Sequence, residues 1–252
     1  QHFARISRPS PIDPDAQAQV LEALVASGIQ LPPDSIESLG SPVITTADCL
    51  ASLQRSPPGR SPGPDGIPME LYRTFRGQLA PILSAVFTAI GRLDSLPPAF
   101  TEGLLITLFK KGDPLDVANY RPITLLNTDY RLLAKLLVAR LAPPLAQTIS
   151  LEQTAFLPGR HIGENILLLQ LLPSFLQATG DFAVLAFLDF AKAYDTVDRS
   201  FLFACMETMG VGGGFLQWAR LLLRDTHMRA AVNGFLSRLV PTLAGVRQGC
   251  PA

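Results

Sequence analysis

The residues with the clearest chemical potential sit in the string Leu188-Asp189-Phe190-Ala191-Lys192-Ala193-Tyr194-Asp195-Thr196-Val197-Asp198. Residues 182–188 just before Asp189 are uninterrupted apolar with no alternation, which predicts a strand buried on both faces. Such a strand delivers Asp189 to its carboxyl end, the edge at which open sheets commonly place ligands. A carboxylate is a hard oxygen ligand suited to Mg²⁺, and magnesium sites that handle nucleotides use few protein carboxylates plus substrate phosphates. Asp189 is therefore a candidate for half of a two-metal site for phosphoryl transfer. Taken alone, an aspartate that ends a strand is more often a solvated residue.

The elements that would position this string alternate between helix and strand. Residues 15–26 carry Val20, Leu21, Leu24 and Val25 at helical spacing, and Thr45 to Asp48 can cap a second short helix through Leu53. Residues 55–68 are too rich in proline and glycine for regular structure, and Pro64-Asp65-Gly66 predicts an ordered turn. Residues 78–93 read as an amphipathic helix ended by Pro97-Pro98, and residues 103–109 as a strand stopping at a basic turn, Lys110-Lys111-Gly112-Asp113. Leu132, Leu133, Leu136, Leu137 and Leu141 share one face of a helix over 127–141 that is expected to close at Pro143-Pro144. A helix over 163–177 contains Pro173, which can kink it. Residues 199–209 and 215–224 form two further helices joined by the glycine-rich turn 210–214, which lacks the GxxxxGK spacing of a phosphate cradle. Residues 228–232 and 238–242 read as a hairpin around Asn233-Gly234. The class is α/β or α+β, and the chain has no internal repeat.

Composition narrows the function classes. The 252 residues are 48% hydrophobic, enough for a packed core, and their charges cancel to zero, so no global basicity points to nucleic acid. Charge is nevertheless polarised. Over 110–160 seven basic residues face four acidic ones, whereas the first 54 residues hold two basic and six acidic residues. Cys49, Cys205 and Cys250 are widely spaced, which supports neither a disulfide framework nor a zinc site and fits a reducing intracellular compartment. No apolar run approaches the roughly 18 residues a membrane span requires.

The string from Leu188 to Asp198 resembles motif A of reverse transcriptases of the non-LTR (LINE-type) retrotransposon family, an apolar run, Asp, three or four residues, then Ala-Phe/Tyr-Asp. Further strings resemble that family in its order. They are Leu108-Phe109-Lys110-Lys111-Gly112-Asp113 and Asn119-Tyr120-Arg121-Pro122-Ile123-Thr124-Leu125-Leu126 of the fingers, Ser61-Pro62-Gly63-Pro64-Asp65-Gly66-Ile67-Pro68 of the extra amino-terminal motif, a segment from Gln153 to Ile166, and Gly245-Val246-Arg247-Gln248-Gly249-Cys250-Pro251 of motif B. Ala252 stands where most relatives have leucine.

The resemblance implies that Asp189 binds both metals, with the Phe190 carbonyl as a further ligand. It implies that Tyr194 is the aromatic gate that excludes a ribose 2′-hydroxyl, and that Asp195 serves structure rather than metal. Lys110 or Lys111 and Arg121 would grip the incoming triphosphate, arginine as a bidentate fork. Gln248 and Gly249 would line the nascent pair, with glycine permitting close backbone approach. Arg160 would touch the template backbone; a turn arginine capping a helix is the competing account.

The expected architecture is a right-hand polymerase's fingers with an incomplete palm, helices packed on a partial antiparallel sheet. It divides into a helical approach segment (1–54), a fingers-like part (55–180) and a partial palm (181–252) that stops before the family's YxDD hairpin. The expected partners are an RNA template, a DNA primer, deoxynucleoside triphosphates, two Mg²⁺ ions and the remainder of a polyprotein (rest of palm, thumb, an endonuclease in some members), with no membrane. Such proteins act in ribonucleoprotein particles and on nuclear DNA. The chain by itself is expected to polymerise nothing, and an unpaired motif A strand would favour dimerisation. The rival readings are a group II intron maturase-like enzyme and a non-catalytic RNA-binding remnant.

Overall fold

The computed structural model describes Pro9 and residues 11–251. The first residues of the expected approach segment, and Ala252, lie outside this range. Helix α1 (Pro14–Ala26) starts where Asp13 accepts hydrogen bonds from the amides of Asp15 and Ala16. Helix α2 (Pro33–Gly40) follows, then α3 (Thr46–Arg55), whose start is a capping box between Thr45 and Asp48. After the proline-rich loop come α4 (Met69–Thr74) and α5 (Arg76–Leu93). Strands β1 (Glu102–Phe109) and β2 (Tyr120–Leu126) form an antiparallel pair in register from Gly103↔Leu126 to Phe109↔Tyr120. The long helix α6 (Thr128–Thr148) leads to α7 (Gly163–Thr179), α8 (Arg199–Thr208) and α9 (Gly213–Leu223). Strands β3 (His227–Val232), β4 (Phe235–Leu236) and β5 (Val240–Pro241) complete the sheet.

The sheet is mixed rather than antiparallel throughout. β3 lies parallel to β1 from Glu102↔His227 to Leu105↔Ala230, and the helices α6 to α9 make the crossover that a parallel pairing demands. β4 and β5 pair antiparallel with β3. The β3–β4 turn places Asn233 at φ 49 and Gly234 at φ 81, the left-handed pair that a two-residue hairpin needs.

The core gathers around the first half of α6. Leu132, Leu133, Leu136 and Leu137 meet Phe87 and Ile90 of α5, Cys49 and Leu53 of α3, and Phe215, Trp218 and Leu221 of α9. Tyr130 is fully buried and its hydroxyl donates to the Leu222 carbonyl at 3.2 Å. Helix α6 does not close at Pro143-Pro144 as the sequence suggests. The two prolines remove only the bonds to the Ala139 and Arg140 carbonyls, and a further turn forms beyond them with Pro144 buried.

Residues 182–188 are not a strand, and the expected burial of this run is reversed. A strand requires a ladder partner, and this run pairs with none of the strands β1 to β5; the outer edge of β2 is engaged at Thr124 by the Gln248 carbonyl instead. The run therefore carries no ladder, and Phe182, Val184, Phe187 and Leu188 are exposed. Helix α7 likewise buries none of its residues, and Ile166, Leu168, Leu171 and Phe175 face outward. No helix among the described residues is long and apolar enough to cross a membrane.

Candidate functional site

Three segments distant in sequence meet beside β2. The amide of Val246 donates to the Tyr194 carbonyl and that of Gly245 to the Val197 carbonyl, both at 2.8 Å, while the Thr124 amide donates to the Gln248 carbonyl at 2.7 Å. Arg199, in the first turn of α8, locks the junction from behind. Its guanidinium donates to the carbonyls of Gly245 (3.0 Å) and Leu223 (2.7 Å) and to the Thr226 hydroxyl (3.2 Å). Gly249 has φ +123, and a Cβ there would stand 2.2 Å from the Thr124 carbonyl oxygen, so only glycine fits this approach. The result brings together Tyr194, Asp195, Gln248 and Gly249.

A cavity of about 30 Å³, enough room for a water molecule, lies inside this junction between Leu105, Thr124, Asp195, Thr242, Arg247 and Gln248. Its walls mix apolar side chains such as Leu105, Met228 and Val246 with the polar ones. Burial pushes the Asp195 carboxyl above the ordinary carboxylate range, opposed by the Lys192 charge and by a hydrogen bond from the Gln248 carboxamide. Arg247 is 6% exposed, donates from Nη1 to the Thr101 carbonyl, and stacks its guanidinium 4.9 Å from the Tyr130 ring centroid. Its Nε and Nη2, and the Thr242 hydroxyl, find no partner among the described residues. Arg247 was not among the residues singled out from sequence. Its only signal there was its position beside Gln248, where an arginine is indistinguishable from a surface cation.

The other expected site residues are placed elsewhere. Lys110 and Lys111 are exposed at the β1–β2 turn, where the Lys110 amide donates to the Asn119 carbonyl at 2.9 Å and Asn119 Nδ2 donates to the Asp113 carbonyl at 3.0 Å. Arg121 is exposed on β2 opposite Leu108, roughly 10 Å along the strand from Thr124. Strand alternation turns it to the face opposite Pro122 and Thr124, so its side chain does not enter the cavity. Arg160 is occupied by main chain. Its two terminal nitrogens donate to the carbonyls of Ala146 (2.9 Å), Ile149 (2.7 Å), Gln153 (2.8 Å) and Ser150, collecting the end of α6. This is the capping arrangement.

Asp189 and Phe190 lie in the irregular segment before the junction. Asp189 is exposed, and Phe190 borders a separate groove with Val20 of α1 and Phe201 and Leu202 of α8. Among the described residues no group of three or more His, Cys, Asp or Glu side chains is placed to hold a metal ion. Asp189 is chemically suited to be one ligand, but one carboxylate does not hold two ions, and the described residues do not form a two-metal site.

Residues 109–252, more than half of the chain, match the family described as reverse transcriptase (RNA-dependent DNA polymerase). The chain is 31% identical over 249 residues, 99% of its own length, to the transposon TX1 uncharacterized 149 kDa protein of Xenopus laevis. It is 24% identical over 239 residues, 94% of its length, to the RNA-directed DNA polymerase from mobile element jockey of Drosophila melanogaster. It is 27% identical over 193 residues, 76% of its length, to the retrovirus-related Pol polyprotein from type-1 retrotransposable element R2 of Popillia japonica. The chain spans 19%, 25% and 26% of these relatives, respectively.

Proposed function

The chain belongs to the reverse transcriptase (RNA-dependent DNA polymerase) family, and from that premise we propose that it forms the fingers and the front of the palm of an RNA-directed DNA polymerase of a non-LTR retrotransposon. The observation that carries this reading is the junction itself. Tyr194 and Gln248, more than fifty positions apart, are tied by main-chain bonds to one another's segments and to β2. Those are the two side chains the reading needs beside an incoming deoxynucleoside triphosphate.

In this reading Tyr194, with its side chain half open to solvent, blocks the position a 2′-hydroxyl would occupy, and Gln248 and Gly249 line the forming base pair. Lys110, Lys111 and Arg121, all exposed, neutralise triphosphate charge from the fingers side. Arg160 acts on the template side through the turn it holds together. Asp189 contributes one carboxylate to a divalent-metal site, with the Phe190 carbonyl beside it. Mg²⁺ would supply the charge neutralisation of nucleotidyl transfer there, and its other ligands come from the remainder of a longer polypeptide. The chain alone therefore does not polymerise. RNA template, DNA primer and deoxynucleoside triphosphates are the partners of that longer protein.

The test is sugar selection. In the full-length polypeptide, Tyr194→Ala is expected to raise incorporation of ribonucleotides relative to deoxyribonucleotides by about 10²-fold, the order of discrimination that a single hydroxyl in a shaped pocket provides. An unchanged ratio would remove Tyr194 from the nucleotide site.

A further inference from the structure

Asp195 follows the proposed sugar gate directly and lines the small cavity of the junction. Its Oδ2 accepts a hydrogen bond from Gln248 Nε2 at 3.5 Å, a long contact at the outer limit for such a bond. Its backbone is fixed on both sides, because the carbonyls of Tyr194 and Val197 are taken by the amides of Val246 and Gly245. The Lys192 carbonyl also accepts from the Asp195 amide at 2.9 Å, closing a tight turn. The carboxylate is thus presented from a rigid base.

A glutamine carboxamide has a donor end and an acceptor end of nearly equal size, and its partner decides which way it points. An ionised carboxylate only accepts. Asp195 therefore selects the Nε2 end of Gln248 and leaves Oε1 turned away from it. Arg247 also lines this small cavity; its guanidinium only donates, and its Nε and Nη2 have no partner among the described residues. The Gln248 main chain is pinned to Thr124, so rotation of its side chain is the one freedom left to it.

We propose that Asp195 is a positioning residue that fixes the orientation of the Gln248 carboxamide, and so decides whether a donor or an acceptor is offered to the incoming nucleotide. This rests on the reading of Gln248 as a residue that lines the nucleotide. Asparagine at 195 can still accept from Nε2, but its own amide can equally donate to Oε1, so it holds the orientation only in part; leucine, of similar size, does not hold it at all.

Two measurements test the proposal, one independent of polymerase activity. In this chain, Gln248→Glu sets two carboxylates against one another and is expected to lower the folded-to-unfolded ratio. Asp195→Asn in the same chain should restore it, with a coupling of about tenfold or more in the unfolding equilibrium constant. Additive effects of the two substitutions would overturn the proposal. In the full-length polypeptide, Asp195→Leu should raise KM for deoxynucleoside triphosphates about tenfold with kcat little changed, and Asp195→Asn, which can pair with either end of the carboxamide, should fall between it and wild type. Equal losses in both variants would reduce Asp195 to a carboxylate needed for folding. If the coupling is found but the wild-type polypeptide does not extend a primer, the positioning contact stands and the polymerase reading falls.

Discussion

Replacing Gly249 with alanine should test the geometry of the junction at its tightest point. Two costs combine. At φ +123 an L-residue is strained by about 1–3 kcal/mol. The new Cβ would also meet the Thr124 carbonyl oxygen at 2.2 Å, where real contacts do not fall below 3.0 Å. Thr124 cannot retreat, because it is laddered against Leu105 in the β1–β2 pair. The loop must move instead, and with it the bond from the Thr124 amide to the Gln248 carbonyl is lost, about 1 kcal/mol more. The total is roughly 2–4 kcal/mol, which at a denaturant slope of about 2–3 kcal/mol/M lowers the urea midpoint by about 1–2 M. Gly28 serves as the control. It has φ +67 but nothing within 4 Å of its would-be Cβ, so Gly28→Ala should show only the strain, about 1 kcal/mol. A midpoint for Gly249→Ala no lower than that of Gly28→Ala would refute the close approach.

Leu133→Ala, at a fully buried position in the first half of α6, should lose about 2–5 kcal/mol in denaturant unfolding. Arg160→Met removes the donors that hold four carbonyls, so amide exchange over residues 149–153 should accelerate; unchanged exchange would mean that the arginine is free for other duties. Burial, reinforced by the nearby Asp65 charge, holds the Asp129 carboxyl above its ordinary value, although a hydrogen bond from the Tyr130 amide works the other way. The folded chain then keeps a proton that the unfolded chain has released, so the contribution of Asp129 to stability is present below the ordinary carboxylate value and is lost as pH rises through the raised one. Asp129→Asn should therefore gain on the wild type between acid and neutral pH, and a wild-type-like pH profile of stability would contradict the assignment.

Much of the helical scaffold is legible in the sequence because local signals and packing agree. Thr45 and Asp48 announce the α3 capping box, the leucine stripe announces α6, and Asn233-Gly234 announces the hairpin. Strand β2 is hidden by Pro122, which reads as a strand breaker. It is tolerated because β2 is an edge strand, where a missing N–H need not break the ladder with β1. The short helices α2 and α4 carry too few turns to display a period. The apolar run at 182–188 has the composition of a buried strand, but strand formation is a property of a pair, and composition does not reveal whether a partner is at hand. The same limit applies to the site. Tyr194, Gln248 and Gly249 stand out through their motifs, whereas the buried guanidinium of Arg247 and the Asp195–Gln248 contact depend on how two distant loops interlock.

The proposed role of this chain is to supply one side of a two-metal polymerase centre through Asp189. It is tested most directly by primer extension on an RNA template with Mg²⁺, comparing this chain, the full-length polypeptide, and that polypeptide carrying Asp189→Asn. Extension by the full-length wild type alone is the predicted result. Full extension by the Asp189→Asn polypeptide, or none by the full-length wild type, would contradict it.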